Sequence, residues 1–174
     1  MTEALPDAEA LCEALLGQLK PAIAADVGVV GIVTGGAWLA ERLHAALRCT
    51  TPLGTLDPSF YRDDFAQTGL KHAVHPSRIP FQVQGRHLLL VDDVLYTGRT
   101  VRNAMNELFD YGRPASISLA ALVDRGGREL PIAAQYLGAT VAVPLGKTLV
   151  LQRDALGTLS LQLSDSRRVR TAPR

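Results

Sequence analysis

One stretch near the middle of the chain constrains the fold more than any other. Leu88–Val91 is an unbroken apolar run that leads directly into Asp92 and Asp93. A run without alternation is typical of a strand buried on both faces, as in the centre of a parallel sheet. After a short loop, apolar residues recur with helical spacing at Val101, Ala104, Met105, Leu108 and Tyr111. The pattern predicts a strand, a carboxylate pair, a loop and a helix, which Gly112 and Pro114 end.

This order of elements has a chemical meaning. Open α/β sheets bind their ligands at the carboxyl ends of the strands, where Asp92 and Asp93 are expected to lie. The two carboxylates can accept hydrogen bonds from vicinal hydroxyls, or bind Mg²⁺ directly or through water. The loop amides and the helix N-terminus favour an anion, and Thr97 and Thr100 add hydroxyl donors. A ligand with a phosphate beside a sugar diol would satisfy the whole stretch.

A second strand, loop and helix precede the first. Val27–Val33 is apolar, Thr34-Gly35-Gly36 follows, and a helix is predicted with its inward residues at Leu39, Leu43, Ala46 and Leu47. The glycine-rich loop again offers backbone amides to an anion. The glycines do not form the G-x-G-x-x-G fingerprint of a dinucleotide site.

Composition bounds the class of protein. The 174 residues suffice for one domain with a sizeable core, and we expect a single domain over residues 1–174. The 18 Lys and Arg nearly balance the 17 Asp and Glu, whereas an RNA-binding protein usually has a basic excess. No apolar run approaches the ~20 residues of a membrane span, and no signal peptide is evident. Cys12 and Cys49 are too few for a disulfide framework, which predicts a cytoplasmic protein with buried or half-buried thiols.

The N-terminal 25 residues predict a helix that Pro6 and Asp7 open. Its apolar stripe is expected at Leu11, Ala14, Leu15 and Leu19. Its polar face is acidic, with Glu3, Asp7, Glu9 and Glu13 against Lys20. Such a face repels phosphates, so we interpret the helix as a solvated element that packs on the core.

Two segments combine a predicted strand with a polar loop. Thr51–Phe60 predicts a strand, and residues 60–80 predict a flexible loop of the kind that covers active sites. His72 and His75 within it lack ligand partners at metal spacing, which favours ordinary loop histidines. Ala115–Val123 predicts another buried strand, and Asp124 and Arg125 at its end form either part of a nucleotide site or a local ion pair.

The C-terminal part predicts smaller elements. Ala139–Val143 and Thr148–Leu151 are interpreted as closing strands, and Leu159–Leu163 alternates as an edge strand does. Residues 165–174 form a basic tail, for which a disordered terminus is the default expectation and a non-specific RNA contact a weaker alternative.

Five motifs together resemble a known family. They are Tyr61–Asp64, Val91–Arg102, Gly112–Pro114, Leu122–Gly126 and Arg128–Ile132. The second is similar to the phosphoribosyl pyrophosphate (PRPP) signature of type I phosphoribosyltransferases. The set and its order are similar to the PyrR family, which is described as a bifunctional uracil phosphoribosyltransferase and mRNA-binding regulator of the pyrimidine operon. The resemblance implies an α/β fold with a central parallel sheet, flanking helices and a small hood.

The resemblance also assigns roles by position. It implies that Asp92 and Asp93 hold the ribose, with Mg²⁺ bound through water or PRPP, and that Arg62 meets pyrophosphate. It implies a phosphate loop at Tyr96, Thr97, Gly98, Arg99 and Thr100, a pyrophosphate loop at Thr34, Gly35 and Gly36, and a uracil site at Val123, Asp124 and Arg125. The expected ligands are PRPP, uracil and UMP or UTP, and the expected assembly is a homodimer or a higher homo-oligomer.

The chain departs from the family pattern at positions that bear on both activities. The family has basic residues where this chain has Val33 and Gly35, which weakens the case for efficient transfer. It has a His where Gly127 stands and a basic residue where Ala133 stands, so that Arg128 alone keeps the expected RNA contact. The alternatives are a catalytically weak regulator that senses nucleotides and acts on RNA or a protein, and a purine phosphoribosyltransferase.

Overall fold

The computed structural model describes residues 4–58 and 76–165. Three helices are present in these ranges, and their bounds are α1 Ala8–Leu19, α2 Gly35–Ala46 and α3 Arg99–Asp110. Five strands form one sheet: β1 Gly28–Ile32, β2 Gly54–Leu56, β3 His87–Leu95, β4 Ser116–Asp124 and β5 Tyr136–Thr140. The strands β6 Lys147–Arg153 and β7 Leu159–Asp165 form an antiparallel hairpin.

The sheet is parallel and has the order β2-β1-β3-β4-β5, as the unbroken apolar runs predicted. In β3, Leu88–Val91 are all at most 1% exposed, which confirms a strand buried on both faces. Side chains alternate between the faces. Leu89 and Val91 pack with α1, α2 and the hairpin, whereas Leu88 and Leu90 pack with α3.

The neighbours of β3 end at different heights. The pairing of β3 with β1 stops at Val91, which is opposite Gly31. The pairing with β4 continues to Leu95, which is opposite Asp124. The last four residues of β3 therefore have a strand partner on one side only, and we call the unpaired β1 side from Asp92 onward the crevice.

Several sequence predictions need correction. Ala14 and Ala46 were expected to point inward, but both are exposed. In α1, Leu15 and Leu19 are buried as predicted, and Ala8, Cys12 and Leu16 complete the buried row. Tyr111 follows the end of α3 and is 44% exposed. The fifth strand begins at Tyr136, three residues before the predicted Ala139, because Tyr136 pairs with Ala120.

Other expectations hold or lie outside the described residues. Cys12 is buried and Cys49 half-buried, as predicted, and burial raises the pKa of the Cys12 thiol to about 11. The predicted strand at Thr51–Phe60 is reduced to Gly54–Leu56 within the described part. Arg62, His72 and His75 fall in residues 59–75, and most of the C-terminal tail follows residue 165, so these predictions lie outside the described residues. No helix in the described ranges is long and apolar enough to cross a membrane.

Candidate active site

The candidate site lies at the carboxyl ends of β1 and β3. The chain leaves β1 toward β2 on one side and returns through β3 on the other, so the strand order reverses between β1 and β3. Open α/β sheets bind ligands in the crevice at such a point. Two helices begin there, α2 directly after β1 and α3 shortly after β3. Neither has an acidic residue in its first turn, so both helix N-termini retain their positive potential.

Asp92 and Asp93, the acid pair, form the floor of the crevice. Asp92 is 5% exposed, and its Oδ1 accepts a hydrogen bond from the Asp93 backbone N–H at 3.0 Å. Burial, followed by the charge of Asp93, raises the pKa of Asp92 well above its usual value, and burial also raises the pKa of Asp93. Within the described ranges neither has a salt-bridge partner, so the pair is suited to bind hydroxyl groups or a cation.

Thr34–Gly36, the glycine loop, lies directly against the acid pair. A Cβ added to Gly35 would stand 2.2 Å from Oδ2 of Asp93, and one added to Gly36 would stand 2.6 Å from the carbonyl oxygen of Val91. Both distances are below any ordinary contact, so a side chain at position 35 would displace the Asp93 carboxylate, and one at position 36 would displace backbone. The arginine that the family pattern has at position 35 would therefore require a different arrangement of the loop and Asp93. The Val33–Thr34 peptide bond is cis.

Tyr96–Thr100, the helix-start loop, lies on the other side of the acid pair. Gly98 has φ +90°, a left-handed conformation that favours glycine, and stands at the N-cap of α3. Its side-chain position is closed by Ile132 and Leu130, which a Cβ would approach to 3.3 and 3.4 Å. The Arg99 backbone N–H donates to Oγ1 of Thr97 at 3.2 Å, and the Arg99 side chain pairs with Glu129. The first turn of α3 is thus held in a defined orientation toward the crevice.

Asp124–Arg128, the arginine loop, follows β4 and contacts the helix-start loop. Asp124 Oδ1 accepts from the Gly126 N–H at 2.8 Å, and its Oδ2 pairs with Arg128. The local ion pair of Asp124 is therefore with Arg128 and not with Arg125. The Arg125 guanidinium stacks on the Tyr96 ring at 4.2 Å and donates to the Lys147 carbonyl at 3.2 Å.

Most predicted site residues therefore lie at the carboxyl ends of the parallel strands, and their roles remain predictions. The acid pair, the glycine loop, the helix-start loop and the arginine loop all surround the crevice beside β3. Val123 is fully buried, and it lies between Val94 of β3 and Ala139 of β5 in the sheet. Arg62 lies outside the described residues. Sequence reasoning missed Glu129, which pairs with Arg99, and the contact of Gly127 with Tyr96, because neither follows from local spacing.

The described residues contain no group of three or more His, Cys, Asp or Glu side chains placed to hold a metal ion. A metal at this site would therefore take only one or two protein carboxylates. This is how Mg²⁺ usually binds beside a substrate phosphate, with water and phosphate oxygens filling the other positions. The uncompensated acid pair is the candidate donor set.

Comparison with known proteins identifies the class. The chain matches the phosphoribosyl transferase domain family over residues 2–141. It also has the fold of a hypoxanthine phosphoribosyltransferase from Staphylococcus aureus, with a TM-score of 0.62, 20% identity, and coverage of 82% of this chain and 80% of that one. The chain is a phosphoribosyltransferase, and the predicted fold class is confirmed.

Closer relatives identify the family within that class. The chain is 47% identical to the bifunctional protein PyrR of Ralstonia nicotianae, over 99% of this chain and 100% of the relative. It is also 47% identical to the bifunctional protein PyrR of Pseudomonas fluorescens, over 92% and 97% of the two chains. The chain belongs to the PyrR family, as the motifs indicated.

The burial of the acid pair predicts a pH-dependent stability. A pKa that is raised above the unfolded value of 3.8 means that the folded protein binds protons more tightly, so stability falls as pH rises above about 4. Asp92→Asn imitates the protonated side chain. It should raise the free energy of unfolding at pH 7 by about 1 kcal/mol or more, with the gain vanishing near pH 4. Urea denaturation across this range measures it.

Asp26→Asn is the matched control, because Asp26 is an exposed carboxylate just before β1, at the amino ends of the parallel strands. It should change stability by less than about 0.5 kcal/mol. If Asp92→Asn is less stable than the wild type at pH 7, the inference that the buried charge of Asp92 lowers stability is wrong.

The contact between Gly127 and Tyr96 makes a second prediction. Gly127 and Gly126 have nearly the same left-handed φ, +73° and +70°. A Cβ on Gly127 would stand 2.4 Å from Cε2 of Tyr96, whereas one on Gly126 would meet nothing within 4 Å. Both Ala substitutions bear the backbone cost, but only Gly127→Ala must displace the ring. Gly127→Ala should lose about 1 kcal/mol or more of stability beyond Gly126→Ala. Equal losses in chemical denaturation would show that the Tyr96 ring moves freely.

Proposed function

We propose that the chain transfers the phosphoribosyl group of PRPP to uracil, which yields UMP and pyrophosphate. We also propose that nucleotide binding at the same site makes the chain a regulator of pyrimidine nucleotide synthesis. The observation that carries the proposal is the acid pair, which lies between two loops that begin helices. This arrangement suits a ligand with anionic groups at both ends and a diol between them.

The two loops provide separate sites for the two anionic ends of PRPP. The helix-start loop would bind the ribose phosphate through backbone amides, the N-terminus of α3 and the hydroxyls of Thr97 and Thr100. The glycine loop, with Thr34, Gly35 and Gly36, would bind pyrophosphate in the same way at α2. Asp92 and Asp93 would accept hydrogen bonds from the ribose hydroxyls between them. PRPP would then be held at three points, and its reactive carbon would be fixed relative to β3.

The reaction requires little chemistry from side chains. The bond from the ribose carbon to pyrophosphate breaks as the bond to the uracil nitrogen forms, the proton of that nitrogen passes to solvent or to the departing pyrophosphate, and positive charge develops on the ribose in between. The acid pair lies where it can stabilise that charge, and the helix N-termini can stabilise the departing anion. No general acid or base is assigned among the described residues.

Mg²⁺ fits this site through the acid pair. Burial raises the pKa values of both Asp92 and Asp93, and a bound cation would relieve the cost of holding them ionised. They would hold the ion through water or through PRPP. When bound, Mg²⁺ would neutralise the pyrophosphate oxygens.

The pyrophosphate side has fewer charges than the family pattern. Val33 and Gly35 replace basic residues, so backbone amides carry the binding there, and we assign Arg62 as the remaining cation for pyrophosphate. The contact of Gly35 with Asp93 supports a loop that binds through its backbone. Turnover at a reduced rate is consistent with this arrangement.

The base would lie at the end of β4, next to Val123, Asp124 and Arg125. Backbone groups there have fixed directions, which suits the donors and acceptors of a base edge. Membership of the PyrR family supports uracil. Competition decides between the classes of base: faster turnover of hypoxanthine or guanine than of uracil would assign a purine phosphoribosyltransferase instead.

The regulatory role is better supported for nucleotide sensing than for RNA binding. Arg128, which keeps the RNA pattern, is paired with Asp124, and Glu9 of the acidic helix α1 is paired with Arg42. We therefore propose a protein that senses UMP or UTP, with pyrimidine-operon mRNA as a weaker candidate partner. A gel-shift assay with a pyrimidine leader RNA tests this, because tight and nucleotide-dependent binding would restore the RNA role. Cytoplasmic location and assembly as a homodimer or higher homo-oligomer are part of the same proposal.

The first experiment is steady-state UMP formation from uracil and PRPP with Mg²⁺, together with PRPP binding by calorimetry. Turnover on the order of 1–10³ s⁻¹ would show that backbone amides suffice at the glycine loop. Binding without turnover would leave the chain as a nucleotide sensor. Absence of both would overturn the proposed function.

Asp93→Asn tests the acid pair directly. The variant keeps the size of the side chain but loses its charge, so the fold should persist and PRPP affinity should fall about tenfold or more. Calorimetry measures the affinity, and Asp26→Asn at the amino ends of the parallel strands is the control. Unchanged PRPP affinity in Asp93→Asn would remove the acid pair from the binding site.

A further inference from the structure

Three successive carbonyl groups after the acid pair accept hydrogen bonds from the same neighbouring segment. The Leu95 carbonyl accepts from the Arg125 N–H at 3.0 Å. The Thr97 carbonyl accepts from the Glu129 and Leu130 N–H groups at 2.9 and 3.1 Å. The Tyr96 carbonyl lies between them and accepts from the side chain of Arg128. The segment Leu95–Thr97 is thus joined to the segment Arg125–Leu130 at three successive carbonyl groups, and the bond at Tyr96 depends on a side chain.

Arg128 makes a second bond that completes the connection. One terminal nitrogen donates to the Tyr96 carbonyl, and the other pairs with Oδ2 of Asp124. The side chains of Arg128 and Asp124 are 24% and 18% exposed, so the pair is partly shielded from water. Charge-assisted hydrogen bonds of this kind are stronger than neutral ones, and the planar guanidinium fixes their directions.

The neighbouring contacts concentrate on Tyr96. Its ring stacks under the Arg125 guanidinium, and its edge faces the backbone of Gly127. Tyr96 is therefore held by the arginine loop at its carbonyl, at its ring face and at its ring edge. These contacts fix the arginine loop relative to the residue that begins the helix-start loop.

We propose that Arg128 is a positioning residue of the transferase, which fixes the arginine loop to the helix-start loop so that the base and the ribose phosphate are held in one geometry. The inference rests on the proposed function for the identity of the two ligand parts. Each terminal nitrogen of Arg128 already donates to a protein oxygen, and its charge is compensated by Asp124. These contacts favour a role inside the site over a contact to RNA phosphates.

The proposal predicts different effects on the affinities for UMP and for PRPP. UMP spans both loops, because its base and its phosphate bind at opposite ends, whereas PRPP carries no base and is held without the arginine loop. Arg128→Gln removes the charge and one of the two bonds. It should weaken UMP binding about tenfold or more and change PRPP binding less than about threefold. In turnover, kcat should fall while KM for PRPP stays nearly constant.

Calorimetry with UMP and with PRPP, each in the presence of Mg²⁺, measures the split. Arg128→Lys keeps the charge without the planar fork and should recover part of the UMP affinity. If thermal melting shows that Arg128→Gln is unfolded, Arg128→Lys takes its place in the binding measurements. Arg153→Gln is the matched control, because Arg153 of the hairpin is likewise paired with a carboxylate and stacked on an aromatic ring, those of Glu41 and Trp38 in α2. The control should leave both affinities unchanged.

Three results would overturn the proposal. They are equal weakening of UMP and PRPP, no change in either, and a loss confined to affinity for a pyrimidine leader RNA. The proposed function fails separately: a wild-type chain that binds UMP but forms none from uracil and PRPP would not be a uracil phosphoribosyltransferase. The binding split at Arg128 would still test the positioning role in that case.

Discussion

Two carboxylates buried side by side in the central strand are the constraint on which the rest of the structure depends. Asp92 is almost fully enclosed, and it shares a hydrogen bond with Asp93 rather than with a cation in the described residues. Taking these charges out of water has a cost that the apolar core of Leu88–Val91 must offset. The protein therefore gives up stability to keep a strong acceptor at the bottom of the crevice. Binding free energy from a ligand can recover that cost.

The surrounding elements keep negative charge away from the crevice and bring partial positive charge toward it. Both helices that begin there lack acidic residues in their first turns. The glycine loop approaches so closely that its backbone, and not a side chain, faces the acid pair. The strand β3 extends past β1 but not past β4. The groups on its two sides that would contact a ligand are therefore positioned by the same strand. Such preorganisation reduces the ordering needed on binding.

Sequence patterns predicted the parts that depend on local chemistry. The apolar run, the acid pair, the glycine at the start of α3 and the family motifs were all evident, and the parallel sheet followed from them. The sequence predicted less accurately which face of each helix is buried, because a small residue such as Ala14 fits equally well on either side of an apolar stripe. The contacts of Arg128 with Tyr96 and of Arg99 with Glu129 join residues about 30 positions apart. Spacing rules do not reach such pairs, since they depend on how β3 and β4 are placed side by side.

The contact between Gly35 and Asp93 has a consequence for how this site can change over evolutionary time. A side chain at position 35 would occupy the space of the carboxylate it is meant to assist, so gaining an arginine there in a single step would disturb the acid pair. The order of substitutions then matters, because the loop must first move away from β3 before a larger residue becomes beneficial. A basic residue at position 35 is thus compatible with the acid pair only together with a shift of the loop or of the Asp93 side chain.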